Sequence, residues 1–265
     1  MYKRFVAFTA AVVIMVGCTT VPITGRRQLN LVSDAEMQQQ SYAAYDQVIS
    51  ESKISRDAQA TAMVKRVGQR IQGAVERYMA ANGLQDELAG FQWEFNLIDD
   101  PQVNAWAMAG GKTAVYSGIL PVAKNETGLA VVMGHEIAHA IAKHGNERMS
   151  QALAQQFGSQ TLSALAGAQP GAAQNLVMAV YGVGSQLGLL KYGRTQESEA
   201  DRLGLIFMAM AGYNPEEAVS FWQRMEAESG GQAPPEFLST HPSAGTRQAA
   251  LREHMPEALQ YYKAR

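Results

Sequence analysis

The chain has 265 residues, 47% hydrophobic and 17% charged, with a formal net charge of −2. That length suits one large domain or two small ones, and the apolar content allows a sizeable core and excludes wholesale disorder. The near-neutral charge supplies no basic field, so nucleic acid is excluded as a partner.

The first segment has the pattern of a targeting signal. Lys3 and Arg4 form a basic start, and Phe5 to Gly17 is uncharged and mostly apolar. This run is too short to span a bilayer comfortably but suits a signal-peptide core. It ends in Met15-Val-Gly-Cys18, which resembles a bacterial lipobox. Residues 1–17 therefore read as a lipoprotein signal peptide and Cys18 as the lipidated residue. Thr19, not being an aspartate, by resemblance favours the periplasmic face of the outer membrane. The alternative is an ordinary secreted protein with a stray thiol. Cys18 is the only cysteine, so no intrachain disulfide is available. Residues 18–32, polar with Pro22 and Gly25, read as a tether, and 33–265 as one domain.

Ser33-Asp-Ala-Glu36 is a capping box opening a helix to about Ser50. A long helix follows from Asp57 to Ala81, with Val64, Val67, Ile71, Val75 and Tyr78 at three- and four-residue spacing. Asn82-Gly83 ends it. Phe91 to Ile98 alternates as a strand does, and Pro101 breaks it. After Gly110-Gly111 comes a second short strand, Thr113 to Ser117, expected at a sheet edge. Thr127 to His144 reads as one helix, followed by another from Glu147 to Ala166 and a break at Gln169-Pro-Gly171. Residues 172–190 are apolar and rich in small side chains. Gln174, Asn175 and Gln186 favour a buried or interfacial helix there over a membrane span. Helices are expected at 194–211, 215–228, 243–253 and 256–262, with a loop at 230–235. The expected class is α+β, mostly α, with a small sheet just before the helix at 127–144.

That helix carries His135-Glu-Ile-Ala-His139, an H-E-x-x-H motif. Positions i and i+4 share a helix face, so two imidazoles can grip one zinc ion while Glu136 reaches the bound water as general base. A chain of this length holds the motif by chance on the order of once in a hundred. Leu129, Val131, Val132, Met133, Ile137 and Ile141 make the helix apolar nearly all round, so these polar groups are expected to be buried and to need partners. A catalytic zinc takes three protein ligands and leaves one position open. His144 would lie about 140° round the helix from His139 and cannot join the same ion. The candidate third ligand is Glu197, in Glu197-Ser-Glu-Ala-Asp201. Asp201, one turn on, would accept the outer ring N–H of one ligand histidine. Glu199 points to another face and is spare. An exposed acidic helix start is the competing reading of this segment.

His135-Glu-Ile-Ala-His139 followed by Glu197-x-x-x-Asp201 resembles the gluzincin metallopeptidases of the CAAX-prenyl-protease and HtpX-like family. It is most similar to the family's bacterial periplasmic lipoprotein branch, itself similar to the mitochondrial inner-membrane quality-control peptidase. Val21-Pro-Ile-Thr-Gly-Arg-Arg27 matches that branch's signature after the lipobox. Asn104 to Gly111 matches its N-A-F-A-x-P-G-G strand, with Trp106 for Phe and Ala109 for Pro. Arg194, Thr240-His-Pro242 and Arg247 also match. The resemblance implies a zincin-like fold and one Zn2+ per chain, held by His135, His139 and Glu197. It also implies membrane attachment through the N-terminal lipid.

The implied activity is an endopeptidase that removes unfolded or misassembled envelope proteins. Glu136 takes the water's proton and returns it to the leaving amine. His241 is the candidate oxyanion donor, or else a group that fills the open metal position and holds a latent form; a surface-loop histidine is the bland alternative. Arg247 is a candidate oxyanion or carboxylate partner. Val115 and Tyr116 are expected to bind an extended substrate by strand addition. The competing function is a periplasmic chaperone or assembly factor with a structural zinc. A narrow processing peptidase is a third possibility.

Overall fold

The computed structural model describes residues 18–156, 171–181, 183, 192–228, 236–241 and 247–263. The signal peptide expected at 1–17, the loop at 230–235, the distal parts of the helices expected at 147–166 and 172–190, and the start of the one at 243–253 lie outside them.

The segment expected to be a tether is folded onto the domain. β1 (Cys18–Thr20) and β2 (Arg27–Leu29) pair antiparallel, with Cys18 opposite Leu29. Gly25 turns the chain at φ +69°, and Val21 N–H donates to the Arg26 carbonyl at 2.8 Å. The physical reason is apolar: Val21 and Val32 are both buried, and Ile23 packs against the main core.

α1 (Asp34–Glu51) starts as its capping box predicts, with Ser33 Oγ accepting from Glu36 N–H at 3.2 Å. α2 (Ala58–Ala81) is capped by Asp57, and its stripe of Val64, Val67, Ile71, Val75 and Tyr78 is buried.

β3 (Glu94–Ile98), β4 (Ala105–Met108) and β5 (Lys112–Tyr116) form a sheet in the order β3-β5-β4. β3 runs parallel to β5, with Leu97 opposite Val115; β4 runs antiparallel to it, with Trp106 opposite Ala114. The expected substrate edge at Val115 and Tyr116 is therefore wrong, because β5 is the middle strand. Gly110 and Gly111, at φ +83° and +88°, fold β4 back onto one side of β5, and β3 takes the other. Trp106 is buried and meets Tyr45 edge-on at 5.8 Å between ring centroids.

After the short α3 (Leu120–Ala123), the helices expected at 127–144 and from Glu147 are α4 (Glu126–Ile141) and α5 (His144–Gln156), with the boundary between them three residues earlier than expected. Asn125 caps α4 through its Oδ1, which accepts from Thr127 and Gly128 N–H. The break falls at Lys143, which adopts φ +58°, its ammonium held by Asp34 at 2.5 Å and Glu87 at 2.7 Å. Every residue of α4 from Gly128 to Ile141 is buried.

α6 (Ala172–Val180) packs Ala173, Val177 and Val180 against a second cluster with Trp106, Met108 and Met149. No described helix is long and apolar enough to cross a membrane. α7 (Arg194–Met210), α8 (Glu217–Ala227), α9 (Glu236–Thr240) and α10 (Arg247–Tyr261) complete the chain. The two last helices expected are one, with Pro256 inside it; Leu251 and Ala258, both buried, keep the halves in line. The decisive packing is α4 against α7. A Cβ added to Gly204 would lie 2.9 Å from His135 N, and one added to Gly134 would lie 3.0 Å from Gly204 O. The backbones thus touch where the motif histidines begin.

Candidate active site

His135, Glu136 and His139 lie on α4, with Glu197 and Asp201 one turn apart on the facing side of α7. Gln196 Oε1 accepts from Gly193 N–H at 3.0 Å, closing the first turn of α7 and fixing where Glu197 emerges. Phe237 on α9 stacks on the His241 ring with centroids 4.5 Å apart, and His241 N–H donates to the Phe237 carbonyl.

These elements bring four ligand-type atoms, from His135, His139, Glu197 and His241, within 4.8 Å of one another. His135 Nδ1 is 2.9 Å from Asp201 Oδ1, and His139 Nδ1 is 2.8 Å from His144 Nδ1. With both outer nitrogens so engaged, each Nε2 carries its lone pair inward, and the two sit 3.0 Å apart. Burial holds both imidazoles well below the usual histidine range, so neither brings a proton to relieve the repulsion. Converging lone pairs beside a carboxylate fit a bound cation, and the N,N,O set suits a divalent transition metal. His241 Nδ1, 2.9 Å from Glu197 Oε1 and 3.3 Å from His135 Nε2, stands where a fourth ligand would.

Glu136 is 2% exposed; among the described residues its Oε1 has no hydrogen-bond partner, and His241 Nε2 lies 3.6 Å from it. Burial, reinforced by the Glu197 charge, pushes its carboxyl well above the usual range. Burial would raise Glu197 too, but His241, His139 and Arg247 hold it well below. Burial pushes Asp201 up to about 6, against the pull of Arg247. Arg247 stands behind the carboxylates, donating to Glu197 Oε2 at 2.9 Å and Asp201 Oδ1 at 2.6 Å, with its guanidinium over Trp222 at 3.4 Å. Of its two expected roles, the structure gives it the carboxylate partnership.

Three groups were not visible in the sequence. Tyr192 covers the site, its ring 3.9 Å from that of His139 and 4.8 Å from that of His241. Arg148 lies 3.9 Å over Tyr192, is 1% exposed, and has no hydrogen-bond partner on its three nitrogens among the described residues. Glu199, expected to be spare, binds His144 Nε2 at 2.9 Å. Burial would raise its carboxyl, but hydrogen bonds from His144, Thr24 and Arg26 bring it to about 2. His144 itself opens α5 instead of closing α4, which is why it reaches the back of His139. None of these contacts has a local sequence signature, because each joins distant segments. Cys18 opens β1, and Val115 and Tyr116 stay buried in the sheet centre.

Residues 65–255 match the model of Peptidase family M48. The chain is 35% identical over 243 residues to "Mitochondrial metalloendopeptidase OMA1" of Schizosaccharomyces pombe, covering 90% of this chain and 66% of that protein. It is 29% identical over 246 residues to the human "Metalloendopeptidase OMA1, mitochondrial", covering 90% and 46%. It is 30% identical over 169 residues to the "Beta-barrel assembly-enhancing protease" of Escherichia coli (strain K12), covering 60% and 34%. The chain thus spans between about a third and two thirds of the length of these curated relatives.

Proposed function

The chain belongs to peptidase family M48, and from that membership we propose that it is a zinc-dependent endopeptidase acting on unfolded or misassembled proteins of the bacterial cell envelope. The observation that carries this reading is the convergence of His135, His139 and Glu197 beside a buried Glu136 oxygen that accepts no hydrogen bond from the described residues and has His241 Nε2 at 3.6 Å. A zinc ion held by those three residues would polarise the scissile carbonyl and acidify water. Glu136, its proton affinity raised by burial, takes a proton from the attacking water and passes it to the leaving amine. Asp201 fixes the tautomer of His135, and Arg247 holds both Asp201 and Glu197 in place. Among the described residues β4 pairs on one side only, with β5, so an extended peptide would add to its other side. Main-chain bonding of that kind selects little by sequence and suits unfolded substrates.

His241 and Tyr192 close the site, and we read this as a resting form. The same closed set of four ligands would also suit a structural metal in a chaperone. The buried Glu136 oxygen, which accepts no hydrogen bond, favours the peptidase, since a structural site has no use for a buried general base. The likeness of Met15-Val-Gly-Cys18 to a lipobox supports lipid anchoring on the periplasmic face of the outer membrane. The test is digestion of reduced casein by the zinc-loaded protein beside Glu136→Gln. We expect the variant to bind zinc and cleave nothing. Cleavage by Glu136→Gln would overturn the mechanism.

A further inference from the structure

The Val21-Pro-Ile-Thr-Gly-Arg-Arg27 segment has no part in the chemistry above, yet the fold carries it to the back of the metal site. Val21 and Ile23 anchor the turn in the core. Thr24 Oγ1 donates to Glu199 Oε1, and Arg26 Nε donates to Glu199 Oε2 at 2.7 Å. The rest of the Arg26 guanidinium grips both oxygens of Glu147 on α5, at 3.0 and 2.8 Å. Glu147 is held in turn by Gln196, the residue before Glu197. Beyond Glu199 the order continues inward, to His144 Nε2 at 2.9 Å and from His144 Nδ1 to His139 Nδ1 at 2.8 Å.

The proton positions along this row agree with one another. A metal on His139 Nε2 leaves its Nδ1–H to donate to His144 Nδ1. His144 then carries its proton on Nε2 and donates to Glu199. Glu199 has spare lone pairs for Thr24 and Arg26. One direction of donation satisfies every member, and it ends on a carboxylate, the arrangement that orients a ligand imidazole and makes it more basic. Arg26 also cancels one of two adjacent buried carboxylate charges and joins α5 to α7 with its fork.

We propose that Thr24 and Arg26 are positioning residues of the metal site, acting on the His139 ligand through Glu199 and His144. The N-terminal hairpin is then a working part of the site. The inference rests on the metal-site reading above, and the experiment separates the two. Zinc affinity is measured by chelator competition, and the visible absorption of the cobalt-loaded protein is recorded. The proteins are wild type, His135→Ala, Glu199→Gln, Arg26→Gln, Arg26→Lys, Thr24→Val and, as control, Arg27→Gln on the exposed neighbouring position.

Loss of a partner behind a ligand costs about 10–100-fold in affinity, expected for Glu199→Gln and Arg26→Gln. Arg26→Lys, which keeps the charge but not the fork, should fall between these and wild type. Thr24→Val should weaken binding severalfold, and Arg27→Gln should not change it. The cobalt bands should shift in the first two variants, a readout that a loosened hairpin alone would not move. Thr24→Val and Arg26→Lys keep the test decisive if Arg26→Gln does not fold. Wild-type affinity and an unshifted cobalt spectrum in Glu199→Gln and Arg26→Gln, with binding lost in His135→Ala, would overturn this proposal alone. Equal binding by His135→Ala and wild type would overturn the metal site itself.

Discussion

Gly204→Ala tests whether the close crossing of α4 and α7 builds the site. A helical glycine replaced by alanine with room for the methyl gains about 1 kcal/mol, because the unfolded chain loses freedom. Here the new Cβ would stand 2.9 Å from His135 N, 3.0 Å from Gly134 C and 3.1 Å from His135 Cα, all backbone atoms of a buried helix. Ordinary contact is about 3.5–4.0 Å, so the helices must part by roughly 0.5–1 Å. Overpacking of this kind costs about 1–3 kcal/mol. The balance is a net loss of about 1 kcal/mol, or about 2–4 °C in Tm. The same displacement separates Glu197 from the histidines, while metal sites tolerate only about 0.2 Å in ligand distance. Zinc affinity should therefore fall by about tenfold or more, at about 1.4 kcal/mol per tenfold. Gly73→Ala in α2 is the control, since its Cβ would meet only the flexible end of Arg77 at 3.3 Å, and it should gain stability. Urea unfolding of the metal-free proteins and chelator competition give both quantities. A Gly204→Ala protein as stable as Gly73→Ala, with wild-type zinc affinity, would refute the reasoning.

His241→Ala should retain the metal on three ligands and raise casein cleavage by about tenfold or more, because it removes one of the groups closing the site; loss of cleavage with metal retained would instead put His241 in the reaction. Stripping the metal should lower thermal stability, by about 4 kcal/mol at a free-ion concentration a thousand times Kd, and His135→Ala should abolish the difference between loaded and stripped protein. Tyr181, pushed up to about 12 by burial, gives stability that is complete below pH 10 and declines as pH rises from 10 through 12. Tyr181→Phe loses the bond from Ala109 N–H and should be less stable at pH 7, with the gap to wild type narrowing across pH 10–12 in urea titrations; a constant gap would show that Tyr181 titrates normally.

The candidate metal ligands were legible in the sequence because their information is local. H-E-x-x-H and Glu197-x-x-x-Asp201 each fix two side chains on one helix face by spacing alone, and the fold had only to bring two helices together. Capping at Ser33 and the stripe of α2 were legible for the same reason. The order of the strands was not, since period-two alternation shows that a strand exists but not which neighbours it takes. The break between α4 and α5 was expected after His144, and its place at Lys143 was hidden because the cause lies in Asp34 and Glu87, far along the chain. Glu199 was judged spare by helix geometry, and its partners Thr24 and Arg26 lie 175 and 173 residues away. Gly134 and Gly204 carry no periodic signal, and their importance appears only where two backbones meet.

The cover formed by Tyr192 and His241 bears on which proteins would be cut. A cover worth about 3 kcal/mol leaves fewer than about one molecule in a hundred open at any instant. A segment that stays extended beside the site would outlast the wait for an opening and be cut. One that folds or docks sooner would escape, even with the same sequence. Substrates would then be sorted by how long they remain unfolded.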